Sequence, residues 1–193
     1  MKRWASVLAP LLLLTACTPQ SLVTAWHWRQ FTAHPDVAHE AALRSDLKPC
    51  AGPQCPVLAN ISNRMVDDLT ADISAQNPVA LRLAIHVYPL VVGRDLVTLR
   101  MARQISAAAD QNPREFLLAA AGENRCGAEI VATPATFVGD DTDQYRILGE
   151  RHDRLVAVID PAVASIRAAC LAAIEARRKA LAPAIVPPPR PIW

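Results

Sequence analysis

The chain has 193 residues, 52% hydrophobic and 20% charged, so it can build a sizeable core and is not a wholly disordered polypeptide. A formal charge of +2 with only 4 Trp, 2 Tyr and 3 Phe argues against non-specific nucleic-acid binding. One apolar run approaches membrane length, and it lies at the extreme N-terminus, which excludes a polytopic membrane protein.

That run begins the chain. Lys2 and Arg3 form a charged leader, and Trp4 to Leu14 form an apolar stretch too short to span a bilayer but suited to a signal-peptide core. It leads into Leu14-Thr15-Ala16-Cys17, a branched apolar residue, two small ones and a cysteine. This resembles the lipobox of bacterial lipoproteins. The resemblance implies that residues 1–16 are removed, that Cys17 is diacylated, and that it becomes the new N-terminus. Several acyl chains make a stable anchor where one is marginal. Thr18 follows the cysteine in place of the Asp associated with inner-membrane retention in enteric bacteria, which implies the periplasmic face of the outer membrane. The resemblance covers residues 1–18 and is silent about the body. Without Lys2 and Arg3 the basic residues fall from 20 to 18, equal to the 18 acidic ones, so the mature chain is neutral.

Four cysteines remain: Cys50, Cys55, Cys126 and Cys170. An even set in an oxidising compartment reads as two disulfides, with three connectivities open. The turn-rich Lys48-Pro49-Cys50-Ala51-Gly52-Pro53-Gln54-Cys55-Pro56 closes readily on itself, which favours Cys50–Cys55 and Cys126–Cys170. A four-thiolate zinc site is the rival, but one C-x₄-C followed by two widely separated cysteines is poor spacing for it.

Along the body, residues 17–34 read as an extended tether carrying Trp26, His27, Trp28 and Phe31. Pro35 suits the first turn of an Ala-rich helix reaching Leu47. Pro56 opens a helix in which Leu58, Ile61, Met65, Leu69 and Ile73 recur at three- and four-residue spacing, ended by Asn77-Pro78. From Leu81 the period becomes two, with Leu81, Leu83, Ile85 and Val87 on one face, and Val97, Leu99 and Met101 alternate after a turn at Gly93-Arg94-Asp95. This predicts a hairpin over about 80–105; a helix from Asp95 to Ala109 is the alternative for its second arm. Pro113 to Ala121 is a short helix ended by Gly122, and 128–138 is a candidate third strand with Pro134 at an edge or bulge. Asp140, Asp141 and Thr142 cap a helix to about Leu155. Asp160-Pro161 starts another, with Val163, Ile166, Cys170, Ile174 and Leu181 on its apolar stripe. The fold class expected is therefore α+β: a helix-rich single domain over 35–182 with a small antiparallel sheet, stapled by disulfides. Residues 183–193 form a Pro-rich tail of polyproline-II type. A helix followed by paired strands is similar to the small α+β domains of periplasmic assembly lipoproteins, a likeness of pattern that transfers no residues.

Catalytic motifs are missing from the sequence: no G-x-S-x-G, no P-loop and no G-x-G-x-x-G. His39-Glu40-Ala41-Ala42-Leu43 begins like a zinc motif but has Leu43 where the second histidine is required. His27, His34 and His39 read as polar tether residues rather than metal ligands. Asp141-Thr142-Asp143 starts like a calcium loop, yet Tyr145, Arg146 and His152 stand at later ligand or glycine positions. Glu150, His152 and Asp153, and the basic Arg177-Arg178-Lys179, read as solvated helix face and end-of-helix charge. No cofactor or metal is implied. The expectation is a lipid-anchored accessory protein of a cell-envelope complex such as a secretion, conjugation, pilus or cell-wall machine. It would meet the membrane through its lipid, a protein partner through Pro187, Pro188, Pro189, Arg190, Pro191, Ile192 and Trp193, and no nucleic acid. The alternative is an envelope enzyme or a carrier of a small ligand or metal. That reading would use His86, His152 or the His27–His39 cluster.

Overall fold

The computed structural model describes residues 20–48, 61–74, 76–92, 95–134 and 140–185. The chain forms two compact units, Met1–Ser62 and Asn63–Trp193, whose boundary falls inside the stretch 35–182 expected as one domain. The protein is all-α, not α+β: the described residues hold helices and no strand.

In the first unit, residues 20–48 form a helical hairpin. α1 (Gln20–Ala33) replaces the extended tether expected over 17–34. Its Thr24, Trp28 and Phe31 are buried at spacings of four and three, and the Trp28 and Phe31 rings lie 6.0 Å apart. The polar Thr24 in that stripe hides the helical period from a hydrophobicity reading. Pro35 breaks the chain, and Asp36 caps α2 (Val37–Asp46) by accepting the His39 N–H at 2.9 Å. That N–H holds the Asp36 carboxyl below the usual carboxylate range. Leu43 and Leu47 complete the core between the helices. His27 of α1 and Asp46 of α2 hydrogen-bond at 2.6 Å and tie the two together.

The second unit has α3 (Asn63–Ser74), α4 (Pro78–Val91), α5 (Asp95–Gln111), α6 (Pro113–Gly122), α7 (Ala128–Val131), α8 (Asp141–Val156), a 3-10 turn (Pro161–Val163) and α9 (Ala164–Ile185). α5 is central and packs on α3, α4, α6, α7 and α8, while α8 and α9 form the most extensive helix pair. The expected start of α3 at Pro56 lies outside the described residues; Ile61 is buried just ahead of the helix.

The hairpin expected over 80–105 is α4 and α5. α4 misleads because it is buried nearly all round: Leu81, Leu83, Ile85 and Val87 are in the core, and so are Ala80, Ala84, Tyr88 and Val91. A helix without a polar face has no visible 3.6 period, and an accidental alternation is left to dominate. Its wetter positions, Val79, Arg82, His86 and Pro89, do recur at three, four and three. Asn77 caps it, accepting the N–H groups of Val79 and Ala80 at 2.9 and 3.2 Å, with Pro78 in the first turn. Pro89, near the C-terminus of α4, has no N–H to donate, so one backbone bond of the last turn is missing.

The third strand expected over 128–138 is also absent where it is described: 128–131 are α7, while 135–139 lie outside the described residues. With the sheet goes the likeness to α+β assembly domains. α8 follows its expected cap, Asp140 accepting the Asp143 N–H at 2.8 Å, and α6 starts at Pro113 as expected but with no side-chain cap and with Gly122 as its last helical residue. α9 runs through Pro183 to Ile185, so 183–185 are helix and not the start of a polyproline-II tail, while 186–193 lie outside the described residues. Its described part buries Ile166, Cys170, Ile174 and Leu181. Gln76 and Asn124 take left-handed backbone (φ 63° and 47°) because each closes a helix C-terminus. The Gln76 N–H donates to the Ile73 carbonyl at 2.8 Å and the Asn124 N–H to that of Ala121 at 3.0 Å.

Candidate functional site

Cys17, Cys50, Cys55 and Pro187–Trp193 lie outside the described residues. Cys126 and Cys170 are joined by a disulfide with Cα atoms 5.1 Å apart, fastening the turn after α6 to the middle of α9. The apolar stripe of α9 turns Cys170 into the core, where it is fully buried.

The histidines singled out in the sequence go to separate neighbours. His27 is held by Asp46, and the His34 and His39 rings stand 6.4 Å apart with His39 Nδ1 2.9 Å from Asp36. Glu40 is buried and takes Arg44 at 3.1 Å. Among the described residues, no three His, Cys, Asp or Glu side chains are grouped to hold a metal ion. His86 on α4 meets Glu123 at the end of α6 at 3.0 Å. Two residues further along α4, burial and then the Glu129 carboxylate push the Tyr88 phenol up. His152 lies between Asp153 and Glu175, at 3.2 and 3.3 Å. Glu150 is drawn away to Arg146 at 2.7 Å, so Glu150, His152 and Asp153 do not form one acid/base group. Asp140, Asp141 and Asp143 serve the start of α8 rather than a calcium loop. Of the basic run, Arg177 donates to Gln144 at 3.2 Å, and the Arg178 guanidinium lies 4.4 Å over the Tyr145 ring. Both cations pin α9 to α8.

The strongest polar centre is one that sequence reasoning missed. Arg151 of α8 is fully buried. Its Nε and Nη2 donate to the two carboxylate oxygens of Asp110 on α5, both at 2.7 Å, the bidentate geometry that suits a guanidinium. Its Nη1 donates to the carbonyls of Val131 and, at 2.8 Å, Thr133. Ser106 of α5 donates to the Ile130 carbonyl. Segment 130–133, which has few helical bonds of its own, is thereby sewn to α5 and α8. A signal was present: Leu148, Arg151 and Leu155 share one buried face of α8, and a charge on an apolar stripe needs a buried partner.

A small cleft of about 30 Å³, with room for about two waters, lies between Gln76, Leu81 and Asn112. Asn112 Nδ2 donates across it to Gln76 Oε1 at 3.2 Å. These groups are chemically suited to clamping helices together. Compared with known protein families, curated proteins and solved structures, the chain shows no match.

Proposed function

We propose that the protein is a lipid-anchored accessory component of a cell-envelope complex, held at the periplasmic face of the outer membrane, which scaffolds or regulates that complex. The observation carrying this reading is the run of Lys2-Arg3, the apolar Trp4–Leu14 and Leu14-Thr15-Ala16-Cys17. The Cys126–Cys170 disulfide supports it, because such bonds persist in oxidising compartments, the periplasm among them. Cys17→Ser removes both the acyl acceptor and the cleavage site. It is expected to accumulate as full-length or soluble precursor, read by fractionation and intact mass. A variant still membrane-bound at the mature mass of the wild type overturns the reading.

The partner-binding element in this proposal is Pro187-Pro188-Pro189-Arg190-Pro191-Ile192-Trp193. Residues 161–193 carry Arg167, Arg177, Arg178, Lys179 and Arg190 against Glu175 alone, so this end of the chain is basic and lies far in sequence from Cys17. Closely spaced prolines lower the entropy lost on docking, and Trp193 supplies an apolar anchor. Deleting 187–193 leaves α9 whole. The truncated protein is expected to keep its Tm and to lose its stoichiometric crosslinked partner in envelopes. A fall of several degrees with the partner still crosslinked would assign the segment to packing instead.

A further inference from the structure

We propose that the outer face of α1, centred on Leu22 and Trp26, lies in the headgroup layer of the membrane that holds the anchor. This rests on the lipid-anchored reading above and adds a second, sequence-built contact to the acyl chains.

The face is sharply divided from the core side. Thr24, Trp28 and Phe31 are buried against α2, whereas Leu22, Trp26, Arg29 and Ala33, at spacings of four, three and four, are exposed. Leu22 is 61% and Trp26 57% exposed. A single exposed apolar residue needs no explanation, but a leucine and a tryptophan on adjacent turns form a continuous apolar ridge. Tryptophan, with an apolar ring and one N–H donor, is the side chain favoured where hydrocarbon meets water.

Chain length keeps the start of α1 close to the bilayer. From Cys17 to Leu22 is five residues, a reach of at most about 17 Å even when fully extended. The headgroup layer on each side of a bilayer is itself about 5–7 Å deep. The first turn of α1 therefore stays beside the membrane whenever Cys17 is acylated. The charge is complementary. α1 (QSLVTAWHWRQFTA) has no carboxylate to repel anionic headgroups. Arg29 stands on the exposed side next to Trp26, and His27 is turned to Asp46.

The test uses the full chain purified with its anchor from envelopes and returned to phosphatidylethanolamine–phosphatidylglycerol vesicles containing brominated acyl chains. Trp26→Phe isolates the Trp26 contribution to fluorescence quenching, and the mass of the N-terminal peptide reports acylation separately. Trp26 is expected to supply most of the quenching, and Leu22→Asp, which keeps Trp26 but puts a charge beside it, to abolish that share. An acylated chain whose Trp26 is unquenched, or crosslinks from position 26 to a protein or a second copy, overturns the proposal and leaves the anchor intact. If Cys17 carries no lipid, the anchored reading fails. Quenching of Trp26 in chain added to vesicles then still supports the α1 face, and its absence overturns that too.

Discussion

Arg151→Ala is expected to lower the stability of the Asn63–Trp193 unit by about 3–5 kcal/mol, the usual cost of removing one partner from a buried ion pair. The variant leaves the Asp110 carboxylate, 16% exposed, without its bidentate donor and strips the Val131 and Thr133 carbonyls of theirs. Arg154, 3.7 Å from Asp110 and 46% exposed, offers partial compensation, so the lower end of the range applies. Urea unfolding should show a lower midpoint at constant m, and a Tm lower by roughly 10 °C. Hydrogen exchange should place the earliest opening at 128–134, the segment whose carbonyls Arg151 holds. Arg151→Met with Asp110→Leu removes both charges and should cost less than Arg151→Ala alone, because no uncompensated charge stays buried. A loss under about 1 kcal/mol for Arg151→Ala would mean the pair behaves like a surface ion pair, and the clamp assignment would be wrong.

Replacing Cys126 and Cys170 together by alanine is expected to cost a similar amount. The bond spans a sequence separation of 44, and closing a loop of that length in the unfolded chain is worth about 4 kcal/mol in the chain-entropy model. The folded state changes little, since Cys170 packs as a small apolar side chain whichever its redox state. Peptide mapping that found Cys170 joined to Cys50 or Cys55, or free, would contradict the pairing. The disulfide and Arg151 fasten the same stretch of chain, one from α9 and the other from α5 and α8. Removing both should therefore depart from the sum of the separate losses by more than the few tenths of a kcal/mol seen for independent sites.

What could be read along the chain was whatever is decided locally. Asp140 and Asp160 announce their helices because a cap is one side chain accepting one or two nearby N–H groups. The stripe of Val163, Ile166, Cys170, Ile174 and Leu181 was visible because α9 has one wet side and one dry side. The same local logic placed α6 between Pro113 and Gly122. Where a helix is dry on nearly every side, as α4 is, hydrophobic spacing loses its period, and two strands were expected where two helices stand. α1 was missed for a related reason, its buried stripe starting with the polar Thr24 ahead of Trp28 and Phe31.

The candidate site divides in the same way. By itself the sequence determined the lipobox-like run Leu14-Thr15-Ala16-Cys17, the Pro-rich Pro187–Trp193 and the number of cysteines, since each is a contiguous or countable feature. Only the tertiary structure decided that Arg151 meets Asp110, forty-one positions away, and that Leu22 and Trp26 face outward. It also sent His27, His86 and His152 to three different carboxylates rather than to one site. Covalent order fixes which groups are near along the chain. Which distant groups meet depends on how helices pack to bury apolar area, and on the cost of leaving any buried charge without a partner.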